Sequence, residues 1–307
     1  MFNSFLNKMA GDIAQRWSNS SIMPALAFWI GGLITLIHSQ GWKWDVIIKF
    51  TSGVDIAQGL IFAFSGLILV TVSSSLMRWF QLPLLQFAEG YWPSKFNNIK
   101  LFFIHHQKQI LSEKEQIWNE LAKRYDTLEG VELDKYATID SDLDNYPSNQ
   151  KLLLPTRVGN ILRAAEEYPF LRYGLNIFVV WPRLWLILPE NVKQELNFAR
   201  ATLNDRVLLM TWSFAFSIWA IWNLWALIFS FLGVVIAYIG LVHAAYAYSD
   251  LMRATFDLHR NDLFKALDFP LPECGKEYQS GKMLTHYLKR NLNYTDGLQD
   301  TNILYHR

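Results

Sequence analysis

Three aspartates at alternate positions, Asp140, Asp142 and Asp144, are spaced like the opening of a calcium-binding loop. Such a loop then needs glycine at its sixth position, for the sharp turn, and a bidentate glutamate at its twelfth. This chain has Asn145 and Lys151 there, so residues 131–150 are expected to form a solvated, acidic, turn-rich loop. His105 and His106 are adjacent, and adjacent side chains diverge on a helix, so they lack the shared face a metal needs. Glu166 and Glu167 are adjacent too and cannot work as an opposed acid/base pair. The chain has no phosphate-binding GxxxxGK[ST] loop, no GxGxxG, no GxSxG and no HExxH. No catalytic, cofactor-binding or metal-binding residue is therefore assigned, and an enzyme is not expected.

Other charged residues matter by position. His243 is the one ionisable side chain well inside the last long apolar stretch, and an ionisable group at such depth is a functional candidate. Just beyond it, Asp250, Arg253, Asp257 and Arg260 follow Tyr246 at spacings of three and four. That spacing places them on one helical face with alternating charge. The pattern suits either salt bridges that hold the helix to its neighbours or a charge ladder that couples it to a gate.

The elements that position these groups are spelled out by hydropathy. Aromatic residues make up 15% of the chain and charged residues only 18%. The aromatic excess sits in and beside long apolar runs, as in membrane proteins. A span needs about 20 apolar residues, because lipid cannot satisfy exposed backbone polar groups. Two runs qualify directly, roughly Ile22–His38 and Ile56–Met77, the second closed by Arg78. The uncharged stretch Val207–Ser249 is too long for one span and reads as a hairpin turning at Trp222-Asn223-Leu224-Trp225. Trp219, Trp222 and Trp225 would form an interfacial aromatic cluster. The predicted fold class is an all-α membrane protein with about four spans. The run from Ile22 is long for a signal-peptide core and is not followed by a small-residue cleavage site, so it is expected to be retained as an anchor.

Topology follows from positive charge. An even number of spans puts Lys8, Arg16, Arg78, Lys95, Lys100, Arg253, Arg260 and Lys265 on one side, facing Lys43 and Lys49 in the first loop. The predicted location is the bacterial inner (plasma) membrane, with both termini and the long centre cytoplasmic. The lone Cys274 excludes an intramolecular disulfide and fits a reducing compartment. The expected organisation is residues 1–78 as an N-terminal hairpin, 79–205 as a cytoplasmic or interfacial domain, 206–249 as a second hairpin and 250–307 as a cytoplasmic extension. Within it, Arg78–Pro93 suits the membrane interface, and Phe102–Leu128 reads as an amphipathic helix. Thr156 should cap a helix over Val158–Glu167. Tyr173–Leu188 reads as an apolar hairpin broken at Pro182. The last span should continue to about Leu267, ended by Pro270 and Pro272, with a final helix near Lys276–Arg290.

Small residues line one face of two spans: Gly59, Ala63, Gly66 and Ser73 in the second, and Gly233, Ala237, Gly240, Ala244 and Ala247 in the fourth. Such stripes let helices approach closely in lipid, within a subunit, between subunits or around a pore.

Residues 155–189, reading PTRVGNILRAAEEY, RYGLN and WPRLWLILP, and 256–272, reading FDLHRNDLFKALDFPLP, resemble a family of cyanobacterial and actinobacterial multi-pass membrane proteins. The likeness covers roughly a quarter of the chain. It implies that the central segment and the extended fourth span act as one unit, and it implies no activity, substrate or catalytic residue. The order of spans is also similar to that of bestrophin channels, in architecture alone. Two functions fit. One is an oligomeric channel or pore controlled by its cytoplasmic helices. The other is a non-conducting anchor or scaffold whose helix 102–128 and apolar segment 173–188 recruit a cytosolic protein for signalling, stress or defence. The expected partners are the lipid bilayer and further copies of the chain. With a net charge of +1, no nucleic acid is expected.

Overall fold

The computed structural model describes residues 22–41 and 53–290, and among these every regular element is helical. Lys8, Arg16, Lys43, Lys49 and the final polar tail lie outside the described residues.

The chain divides into two compact units. The first combines Met1–Phe87 with Ala201–Val242, and the second combines Ala88–Arg200 with His243–Arg307. Among the described residues, three helices are long and apolar enough to cross a membrane: α1 (Ile22–Ser39), α2 (Ile56–Trp79) and α9 (Trp225–Ala266). The stretch expected to be the third span is divided. Its first part closes α8 (Glu190–Ala215), whose earlier turns are charged, and Phe216–Ile221 continues as a 3₁₀ helix.

In the first unit, α1 sits against α2 and that 3₁₀ turn. Phe28 and Trp29 meet Trp219 at 5.4 and 6.1 Å between ring centroids. Trp29 Nε1 donates to Ser73 Oγ at 3.1 Å. A Cβ on Gly32 would lie 2.1 Å from the Trp219 ring, so the glycine is what admits the indole. Asn223, in the turn, caps α9 by accepting from Trp225 N at 3.1 Å.

Helix α3 (Gln81–Glu89) lies mostly in the first unit and only its last two residues belong to the second, which is built from α4 (Asn97–Ala122), α5 (Val131–Leu143), α6 (Arg157–Tyr173), α7 (Ile177–Ile187), the start of α8, the end of α9 and α10 (Glu277–Arg290). Its core joins Val180 and Leu184 of α7, Leu196 of α8, Phe256, Leu263 and Phe264 of α9 and Leu284 of α10, all essentially removed from solvent. Each large apolar side chain so buried contributes about 1.5–3 kcal/mol.

Local rules explain several boundaries. Thr156 Oγ1 accepts from Gly159 N at 3.0 Å and starts α6, as its cap residue type predicts. Helix α9 is unbroken for 42 residues and stops at Ala266. Asp268 then takes a left-handed φ of 53°, which lets Phe269 N reach back to Phe264 O at 2.9 Å and close the terminus.

Three expectations are corrected. The supposed acidic loop after residue 130 contains helix α5, with Ile139 buried and Glu132 and Asp134 placed in its first turn, where the helix dipole favours acids. Helix α4 begins five residues before Phe102, at Asn97, and ends at Ala122. The segment around Pro182 is one helix, α7, rather than a hairpin. Burial of Ile177, Val180 and Leu184 on one face outweighs the roughly 3 kcal/mol that an interior proline costs. Pro182 itself is exposed, and the Arg183 side chain donates to Val179 O at 2.7 Å.

Candidate functional site at the seam of α6 and α9

Helix α9 carries the expected charge ladder, and its rungs are held mainly by other helices, with Arg260 Nη1 also donating to the Asp257 carbonyl one turn back. The uppermost contact belongs to Tyr246. Its hydroxyl donates to Asp142 Oδ1 at 3.2 Å and accepts from Arg157 Nη2 at 2.6 Å. Arg157 also pairs with Asp142 at 3.1 Å and stacks on the Tyr146 ring, 4.3 Å from its centroid. Lys114 reaches the other Asp142 oxygen. One carboxylate thus ties α4, α5, α6 and α9 together. Partial burial pushes the Asp142 carboxyl up, but the Lys114 hydrogen bond and the charges of Lys114 and Arg157 outweigh it and hold the group below its ordinary value.

Two turns further, Arg253 Nη2 donates to the Asp144 carbonyl at 2.8 Å, with its guanidinium over the Tyr168 ring. Next, Asp257 accepts from two tyrosines of α6. Tyr168 Oη lies 2.8 and 3.0 Å from its two oxygens, and Tyr173 Oη lies 2.6 Å from Oδ1. Arg260 stacks over Tyr173 at 4.3 Å. Burial raises both phenols above their ordinary value, and their hydrogen bonds to the Asp257 carboxylate raise them further, so both stay protonated donors. Asp250 faces solvent and adds nothing to the seam, and His243 is likewise exposed. Beside Arg253 and Tyr168 lies a cavity of about 260 Å³, also lined by Glu167, Arg172 and Ser148.

A second polar cluster gathers Glu89, Glu166, Arg163 and Arg200. Arg163 pairs with Glu166 at 3.1 Å. Burial lifts the Glu89 carboxyl to about 7, with Arg200 opposing and Glu166 reinforcing the rise. The backbone here is tight, since a Cβ on Gly159 would lie 1.9 Å from the Glu89 carbonyl oxygen.

The small-residue stripes diverge in role. On α9, Ala237 and Ala244 are buried, a Cβ at Gly233 would lie 2.7 Å from Ser213 Oγ, and one at Gly240 would lie 3.2 Å from Arg206 Cδ. This stripe packs within the chain. On α2, a Cβ at Gly66 meets nothing within 4 Å among the described residues, and Ala63 is exposed. That stretch of α2 is uncovered among the described residues, whereas Val70 and Ser74 further along are buried.

The ladder residues Arg253, Asp257 and Arg260 are brought together with Tyr168, Tyr173, Asp142 and Arg157. Of these partners, the sequence marks Asp142 only as part of an acidic loop and does not single out Tyr168, Tyr173 or Arg157. The spacing of Tyr168 and Tyr173 on a helix directly after a charged turn was the available signal. No group of three His, Cys, Asp or Glu side chains among the described residues could hold a metal ion. Together these contacts fix α9 against α5 and α6.

The fold defines an all-helical protein with three helices fit to cross a membrane, which accords with a membrane location. Set against protein-family models, curated proteins and solved structures, the chain matches none.

Proposed function

We propose that the chain is an oligomeric gated pore of the bacterial inner membrane, in which helices of the second unit control the spanning segments. The observation that carries this reading is the continuity of α9. Its 42 residues extend roughly 63 Å, about twice the length a bilayer core requires. The apolar half suits a span, and the other half bears Arg253, Asp257 and Arg260, clamped by α5 and α6. In this reading the unbroken helix is the element through which the clamp acts on the span. The Ala63 and Gly66 positions of α2, open among the described residues, supply a close-packing surface for a neighbouring copy, with Gly59 half-buried beside Val54. In this reading the apolar end of α8 completes a fourth span, and charge asymmetry keeps the termini and the second unit cytoplasmic.

The test is planar-bilayer recording on protein extracted into native lipid nanodiscs, after its mass and symmetry are established. A ring of subunits with conductance altered by Arg253→Ala and Asp257→Ala supports the reading. A monomer, or conductance and gating unchanged by both substitutions, overturns it.

A second reading, a non-conducting scaffold, draws on the outer face of α7, where Phe178, Pro182 and Leu186 recur at four-residue spacing and are all exposed. A stoichiometric cytosolic partner lost on Phe178→Ser and Leu186→Ser would favour it.

A further inference from the structure

The cavity of about 260 Å³ in the second unit is bordered by four charged residues, the basic Arg172 and Arg253 and the acidic Asp144 and Glu167. Their formal charges cancel, yet among the described residues none of the four forms an ion pair. Arg253 gives its Nη2 hydrogen bond to a neutral acceptor, the Asp144 carbonyl, while its Nε is closed to solvent and has no acceptor. Arg172 stands exposed, 5.7 Å from the centroids of both the Tyr168 and Tyr173 rings. Glu167 is the sharpest case, because both of its carboxylate oxygens are closed to bulk water and neither meets a donor. Burial raises its carboxyl above the ordinary value, and the Arg163 charge and the Ser148 amide oppose that rise without completing a hydrogen bond. A carboxylate shut away from water without a donor is destabilised, and a donor brought by a ligand offsets that cost.

The lining selects among ligands. A plain anion would meet the two guanidiniums but also the two carboxylates, and a plain cation would meet the reverse. A molecule that carries both charges and no net charge satisfies both pairs at once, which is how specificity arises from paired attraction and repulsion. Leu143 and Leu171 supply an aliphatic wall between the charged groups. The volume lies below that of pockets for drug-sized molecules, so the fitting ligand is a small one.

We infer that this cavity binds a small aliphatic α-amino acid in its zwitterionic form. The ammonium group meets Glu167, the carboxylate meets Arg253 and Arg172, and the side chain lies along Leu143 and Leu171. A guanidinium binds a carboxylate through charge-assisted hydrogen bonds, the stronger kind, so both ends of the ligand contribute to its affinity.

The test is equilibrium dialysis of the full-length protein in nanodiscs against radiolabelled L-leucine and L-valine, with empty nanodiscs as background. L-Leucine is then competed with isopentylamine, which lacks the carboxylate, and with isocaproate, which lacks the ammonium group. The expected result is saturable binding of one amino acid per chain, with each analogue weaker by about tenfold or more. Glu167→Gln and Arg172→Gln should each weaken binding by about tenfold with helicity retained in circular dichroism, the second at an exposed position where folding is not at stake. No saturable binding of either amino acid overturns the inference. So does competition by either analogue as strong as that by unlabelled L-leucine, which would mark a simple ion site. Binding unchanged by both substitutions also overturns it, because the amino acid then sits elsewhere. Binding is read directly, so the outcome does not depend on whether the chain conducts.

Discussion

Tyr173 Oη donates to Asp257 Oδ1 at 2.6 Å, and the two residues are 84 positions apart in the chain. This contact, with that of Tyr168, fastens α9 to α6. A hydrogen bond to a charged group contributes about 1.5–3 kcal/mol. Tyr173→Phe is expected to lower the unfolding midpoint of the purified protein by several degrees. Asp257→Leu should cost more than Asp257→Asn, because it leaves two phenolic donors without their acceptor. Thermal unfolding in nanodiscs, followed by circular dichroism, checks both orderings, and equal effects of the two Asp257 variants would contradict the clamp.

Two carboxyls give opposite pH dependences. Glu89 has a folded pKa of about 7 against an ordinary 4.5, so the folded state binds its proton more tightly. Its contribution favours folding below about 4.5 and is lost as pH rises through about 7. Glu89→Gln should raise the midpoint at pH 8 relative to the parent and flatten the slope between pH 5 and 8. Asp142 is held below 3.8, so its contribution is present above that value and disappears as pH falls through the lowered one. Asp142→Asn should remove stability at pH 7 and make little difference in strong acid.

Glycines separate structural from assembly roles. Gly159→Ala puts a methyl 1.9 Å from the Glu89 carbonyl oxygen, and Gly281→Ala puts one 1.9 Å from that of Tyr173. Both meet backbone, which cannot step aside as a flexible side chain can, so both variants should yield little folded protein. Gly66→Leu meets nothing within 4 Å among the described residues. It should leave the monomer fold intact and, if α2 packs against a neighbouring copy, shift the oligomer to smaller species in native mass spectrometry.

Arg157→Met tests the upper anchor. It removes partners from Asp142 and Tyr246 at once and should destabilise by about 2–3 kcal/mol. Lys114→Met, which leaves Arg157 in place on the carboxylate, should cost less. Comparison of the two midpoints is the check.

Where local chemistry decides, the sequence could be read. Thr156 announces its helix because a hydroxyl before an apolar run satisfies an otherwise orphaned amide. The three-and-four spacing of Arg253, Asp257 and Arg260 marks one face of a long helix. Helix α5 could not be read in this way. Its aspartates and serine are turn formers in isolation, and what keeps them helical is the burial of Ile139 together with ties such as Trp118 Nε1 to Asp140 at 2.8 Å and Arg124 to Glu132 at 2.9 Å. Pro182 misleads for the same reason, since tertiary burial overrides a local breaker. The partners of the ladder were hidden by separation, because no periodicity within α9 points to tyrosines some eighty residues upstream.

The interleaving of the two units also sets a schedule for synthesis. Tyr173 leaves the ribosome 84 residues before the aspartate it binds, a wait of roughly 4–17 s at ordinary elongation rates. The intervening stretch includes Ala201–Val242, which belongs to the other unit. The second unit therefore cannot close until that stretch of the first has been translated. Until then Tyr168 and Tyr173 wait without the carboxylate they bind, and Arg157 without the Tyr246 hydroxyl.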